Sequence, residues 1–117
     1  MTQEQKDLLL KDLCARLPYK VYAQIPDEYG GYTSAIESID IDGFVKDFEG
    51  TQIEIENIKP YLFPMSHLTD EQTASIEFQA FFKHYGEIQD IYNANHIDYR
   101  GLIEKGLAID CTNLNIY

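Results

Sequence analysis

Two short stretches of this 117-residue chain hold residue types that could do chemistry. The first is Ser38-Ile39-Asp40-Ile41-Asp42-Gly43, followed after five residues by Glu49. Asp40, Asp42, Gly43 and Glu49 match places three, five, six and twelve of a calcium loop, with Val45 at the apolar eighth place. Ser38 at the first place removes a ligand charge. Such a loop needs a helix on either side, yet Gly30-Gly31 precedes it and Gln52-Ile53-Glu54-Ile55 follows, both hostile to helix. A hairpin turned by Asp42-Gly43 accounts for the same residues without an ion. The sequence therefore predicts no metal and no cofactor.

The second stretch is His96, Asp98, Tyr99 and Arg100, closed by Gly101. In a functional reading His96 is a base oriented by Asp98, and Arg100 holds an anionic ligand. In a structural reading the segment is a helix junction. Asp98 then caps the next turn, and Arg100 ties loop carbonyls or a neighbouring carboxylate. No nucleophile, Gly-rich loop or second histidine lies close in sequence, so the junction is the reading adopted. The spacings of His67, His84 and His96 match no zinc signature. Tyr29 and Tyr32 flank Gly30-Gly31 in a short polar loop. They are either rigid contact-making rings beside an adaptable backbone or rings folded onto a sheet edge. No Lys-Ser/Thr and no helix start follow the glycines, so they are not a phosphate loop.

These residues need elements to position them. Thr2 with Gln5 forms a capping box, and Leu9, Leu13, Arg16 and Leu17 recur at helical spacing, with Leu10 and Cys14 widening the stripe. Pro18 ends that helix. Val21, Ala23 and Ile25 alternate with polar residues as a strand does. Tyr32–Ile41, Phe44–Phe48 and Thr51–Ile58 read as three more, turned at Asp42-Gly43 and Glu49-Gly50. Pro60 and Pro64 keep Lys59–Met65 extended. Thr69 with Gln72 opens a second helix to about Tyr85, with Ala74, Phe78, Phe81 and Phe82 on one face as core and Gly86 as its stop. A shorter helix from Glu87 and a helical turn or two over Asp98–Lys105 follow. Leu114 and Ile116 suggest a strand in the tail. The expected fold is α+β, in a single domain over residues 1–117. It comprises an N-terminal helix, an antiparallel meander of four to five strands, and two to three C-terminal helices packed on one face.

Composition narrows the function. The chain carries 20 acidic and 9 basic residues, a net charge of −11. Residues 21–60 alone hold nine acids against two bases. Such a field repels phosphate backbones and anionic membrane, which argues against direct nucleic-acid binding. It suits a protein partner, and it leaves open a nucleic-acid mimic if carboxylates were spaced like phosphates. The start is polar with mixed charge, and no apolar run nears the ~18 residues that span a bilayer, so a cytoplasmic location is expected. Cys14 and Cys111 are expected to stay reduced, Cys14 as a small buried hydrophobe.

Several segments carry a resemblance. They are Met1–Tyr19, Ile58-Lys-Pro-Tyr-Leu-Phe-Pro-Met-Ser66, His96-Ile-Asp-Tyr-Arg-Gly-Leu-Ile103 and Lys105-Gly-Leu-Ala-Ile109. Together they cover about half the chain, and as a set they resemble short proteins of Bacteroides-type gut bacteria and their phages or mobile elements. Phe63 departs from the pattern, where an arginine is expected. The resemblance implies a habitat and a shared scaffold with a variable middle, and it implies no activity.

The leading expectation is a non-enzymatic protein-binding module of a phage or mobile element, whose acidic surface meets a basic protein. The contact would run through the variable strands and the Tyr29/Tyr32 loop. The alternatives are a sponge-like oligomeric binder of a small molecule or nucleotide, using Arg100, His96 and nearby tyrosines, and an acid–base enzyme centred on His96 and Asp98. The last requires those two side chains to line one concave pocket.

Overall fold

The computed structural model describes residues 1–40 and 42–117. The first helix, α1 (Gln3–Arg16), starts where the capping box places it. The Thr2 hydroxyl accepts from the Gln5 amide at 3.1 Å, and Gln5 Oε1 accepts from the Thr2 amide at 3.0 Å. Its inward stripe is Leu9, Asp12, Leu13 and Arg16, all fully buried. Asp12 occupies the place along the stripe that Cys14 was expected to share, and Cys14 is exposed. A single turn over Leu17–Tyr19, with Pro18 inside it, brings the chain to the sheet.

Strands β1 (Tyr22–Gln24), β2 (Thr33–Ile39), β3 (Phe44–Asp47) and β4 (Gln52–Glu54) form the expected antiparallel meander. A register shift between Ile36 and Ser38 bends β2. Asp40 organises the β2–β3 turn: its Oδ1 accepts from the amides of Asp42 and Phe44, each at 2.9 Å. Gly43 sits there at φ +83°, a conformation that strains any residue with a Cβ. Ile41, placed at the end of the second strand by sequence, lies outside the described residues.

The sheet is larger than the meander. Strand β5 (Lys59–Leu62) pairs antiparallel with β1, and β6 (Ile109–Asp110) pairs parallel with β5. The order is β4-β3-β2-β1-β5-β6, so the sheet is mixed. The tail strand expected at Leu114 and Ile116 falls earlier. Leu107 and Ala108 enter the core, and the Cys111 amide donates to Leu62 O at 3.0 Å, which fixes the pairing at residues 109–110. One cluster of buried side chains gathers Leu9 and Leu13 with Val21, Ala23, Ile25, Ile36, Val45, Ile53, Leu62, Leu102 and Leu107.

Two further helices, α2 (Asp70–Phe81) and α3 (Tyr85–Ala94), form a hairpin. Thr69 and Gln72 cap α2 reciprocally. The single helix expected to run to Tyr85 breaks at Lys83, which adopts φ +59°, and Gly86 lies inside α3. The larger correction concerns packing. No residue of α2 is buried, and Phe78, Phe81, Phe82 and Tyr85 are 59, 81, 51 and 62 % exposed. The apolar side of the sheet is filled by α1 and by Leu102 and Leu107, so α2 leans on α3 instead. The third C-terminal helix is absent among the described residues. Gly101 and Gly106 take φ of +74° and +72°, and consecutive turns join them.

Candidate functional site

The segment His96–Arg100 lies where three elements meet: the end of α1, the end of α3 and the strand edge at Phe63. Phe63 N donates to His96 O, and Asp98 N donates to Phe63 O, both at 2.8 Å, so the segment runs beside Phe63 as a bridge. To leave α3 in that direction His96 adopts φ +59°, a conformation few non-glycine residues take. Its side chain and that of Asp98 then part company. Asp98 is buried and receives the amides of Leu102 and Ile103, each at 2.9 Å. It holds the turn that carries Leu102 into the core. His96 instead stacks on Tyr117, with centroids 3.5 Å apart and planes at 11°. No hydrogen bond joins the two, and His96 Nδ1 has no partner among the described residues. Burial and the nearby Arg16 guanidinium hold the imidazole down to about 4, against the usual 6.5, so it is neutral at pH 7.

Arg100 does not face a ligand cavity. Its Nη1 donates to Asp12 Oδ1 at 3.1 Å and to the Tyr99 hydroxyl at 2.7 Å. Asp12 is shared. Arg16 donates to it through Nε at 2.7 Å and Nη2 at 3.1 Å, and Nη2 also reaches Ile97 O at 2.7 Å. One buried carboxylate thus links two guanidiniums, one fully buried. The Tyr99 ring lies 4.6 Å from the Arg100 guanidinium and 5.4 Å from that of Arg16, and Tyr92 stacks on it at 5.0 Å. Arg16 Nη1 and Asn93 Oδ1 have no hydrogen-bond partner among the described residues. This is an internal electrostatic joint between α1 and the His96–Arg100 segment. Sequence reasoning placed Arg16 on the helix stripe but missed Asp12, whose signal was its place three residues after Leu9 and four before Arg16.

The Tyr29/Tyr32 loop folds inward. Both rings are half-buried against the core, and the Tyr32 hydroxyl donates to Asp47. Asp47 itself is buried and takes the amides of Glu49 and Thr51 at 3.0 and 2.8 Å. Burial pushes its carboxyl up, but the Tyr32 hydroxyl and the amides of Thr51, Glu49 and Gly50 outweigh this and hold it below the ordinary value. Asp40 and Asp42 lie in the β2–β3 turn and Glu49 in the β3–β4 turn, at opposite ends of β3. Strands, not helices, flank that stretch. Among the described residues no three acidic, histidine or cysteine side chains are grouped to hold a metal.

Among the concavities of the described residues, three involve residues named above. One of about 430 Å³ between α1 and the meander is lined by Lys6, Asp7, Asp42, Glu54 and Glu56, with Lys6 and Glu56 3.6 Å apart. A shallow one of about 290 Å³ on the open sheet face involves Lys20, Tyr22, Tyr32 and Phe48. The third, of about 280 Å³, lies between the base of α2 and the His96–Tyr117 stack.

The most unusual surface is the hairpin. Phe78 and Phe82 lie 5.0 Å apart and Phe81 and Phe82 5.1 Å apart, an aromatic cluster in open solvent. Scattered exposed apolar residues are ordinary, whereas a contiguous aromatic patch marks a contact surface. No helix among the described residues is long and apolar enough to cross a membrane. Comparison with family models, with curated proteins and with solved structures returns no match.

Proposed function

We propose that this chain is a non-enzymatic protein-binding module whose contact surface is the aromatic side of the α2–α3 hairpin. The observation that carries the reading is the exposure of Phe78 and Phe81 on α2, which buries no residue of its own, and of Phe82 and Tyr85 at the junction with α3, at 51 to 81 %. Fully burying one such ring is worth roughly 1.5–3 kcal/mol, so four together can anchor an interface. The partner is a basic protein. Residues 69–95 hold Asp70, Glu71, Glu77, Glu87 and Asp90 against Lys83 alone, on a chain of net charge −11. That field speeds encounter with a basic surface and repels an acidic one. The resemblance to proteins of phages and mobile elements makes a host or element protein the natural partner. The contact differs from the one read in the sequence, since the rings of Tyr29 and Tyr32 are drawn against the core.

The test pairs wild type with Phe81→Ser/Phe82→Ser, whose fold is first checked by circular dichroism. Immobilised wild type should retain one basic protein from host lysate, lose it as salt rises, and the variant should retain at least tenfold less. Equal capture by both proteins would overturn the reading, as would capture that salt strengthens.

A further inference from the structure

We propose that the cavity at the base of the hairpin is a second, separate binding site, and that it takes a small uncharged planar heterocycle bearing a lactam-type edge. The inference rests on the cavity and not on the aromatic patch, so either can fail without the other.

The cavity measures about 280 Å³ and is lined by Phe63, His67, Gln72, Asn95, His96 and Tyr117. That is at the lower limit of pockets that hold drug-sized molecules and suits a single flat ring. Its walls are themselves flat. His67 stacks on Phe63 at 4.0 Å and 9°, and His96 stacks on Tyr117 at 3.5 Å and 11°. Phe63 and Tyr117 lie 5.9 Å apart, which joins the two pairs into a row of four rings. Such walls favour a planar guest over a branched aliphatic one.

The wall is built rather than adventitious. Tyr117 is pinned by its hydroxyl, which donates to Tyr61 O at 2.8 Å and accepts from the Tyr22 amide at 3.1 Å. His96 is held in its left-handed conformation by the Phe63 bridge on one side and Asn93 O on the other. Its ring nitrogen Nδ1 is sealed from solvent and makes no hydrogen bond among the described residues.

The polar residues set the edge that the guest must present. Gln72 Oε1 is engaged by the Thr69 amide, and the Gln72 Nε2 donor has no hydrogen bond among the described residues. Asn95 Nδ2 donates to Ile91 O at 2.8 Å, and the Asn95 Oδ1 acceptor has no hydrogen bond among the described residues. Both residues line this cavity, and one donor with one acceptor is what an adjacent C=O and N–H require, the edge of a lactam or of a pyrimidine base. An uncharged guest fits the setting. Asp110 lies near enough to His67 to interact with it electrostatically, and the chain is strongly acidic, so an anion is disfavoured. No guanidinium or ammonium lines the cavity to offset that.

Uracil, 2-pyridone and the anion orotate serve as probes, read by NMR on the 13C,15N-labelled full chain. Uracil and 2-pyridone at millimolar concentration should shift the Gln72 and Asn95 side-chain amides and the His96 and Tyr117 rings, while orotate at equal concentration should not. Gln72→Glu retains the Oε1 acceptor that caps α2 and replaces the donor with an acceptor carboxylate oxygen, so it should weaken uracil at least fivefold with α2 intact. Phe81→Ser should leave uracil binding unchanged. Absence of shifts at these residues with both neutral probes would overturn the proposal. Equal uracil affinity in Gln72→Glu would do the same, and so would tighter binding of orotate.

Discussion

Asp12 carries more of the structure than its place on a surface-type helix suggests. It is fully buried and is the carboxylate on which the Arg16 and Arg100 guanidiniums converge. Removing one member of a buried ion network strands the others, at a cost of about 3–5 kcal/mol. Asp12→Ala should lower the free energy of unfolding by that order in urea titrations, whereas Asp7→Ala, exposed one turn earlier, should change it by less than about 0.5 kcal/mol. His96 makes stability depend on pH with a definite sign. Its folded value near 4 lies below the unfolded 6.5, so as pH falls the unfolded chain takes up the proton first. The stability it contributes is complete above pH 6.5 and drains away as pH falls from there through about 4. Asn tolerates the left-handed backbone at this position and does not titrate in this range. His96→Asn should therefore flatten the slope of unfolding free energy between pH 6.5 and 4 relative to wild type. An unchanged slope would show that the imidazole is not the group responsible.

At the scale of elements, local signals were legible and coverage was not. Both capping boxes, Thr2 with Gln5 and Thr69 with Gln72, are four-residue patterns whose chemistry closes on itself, and both stand in the structure. The β2–β3 turn at Asp42-Gly43 is legible for the same reason. The Phe78, Phe81 and Phe82 stripe shows the limit. Helical spacing establishes that these rings share a face, but not that anything packs on that face. Asp98 was legible as a turn cap, since the amides that donate to it lie four and five residues away. The cavity beside His96 was not, because Phe63, Gln72 and Tyr117 reach it from distant parts of the chain. The bareness of α2 has a kinetic expression. A helix of 12 residues is marginal in water without tertiary packing. Amide hydrogen exchange should be fastest, among the helices, in α2, with protection at least a hundredfold below that of Leu9 and Leu13 in α1. Protection in α2 equal to that of α1 would mean that its exposed face is covered in solution.

The whole molecule is held against its own charge. With −11 on 117 residues, unfolding relieves mutual repulsion among carboxylates, and added salt screens that repulsion in the folded state. The melting temperature should rise by several degrees between 20 and about 300 mM NaCl at pH 7.5, and a fall would point to the few ion pairs as the dominant electrostatic contribution. The core resists because its apolar members are drawn from both halves of the chain: Leu9 and Leu13 from the first helix, Leu102 and Leu107 from the turns before β6.

The two thiols divide the molecule into an outside and an inside. Cys14 stands exposed on α1, while Cys111 is buried beside β5, its amide tied to Leu62 and its thiol pushed up to about 11 by burial. A disulfide reagent at neutral pH therefore meets one sulfur in the native protein and a second only when the β5–β6 edge parts. The lag before the second equivalent reacts is a clock for that opening, one that needs no label and no engineered residue.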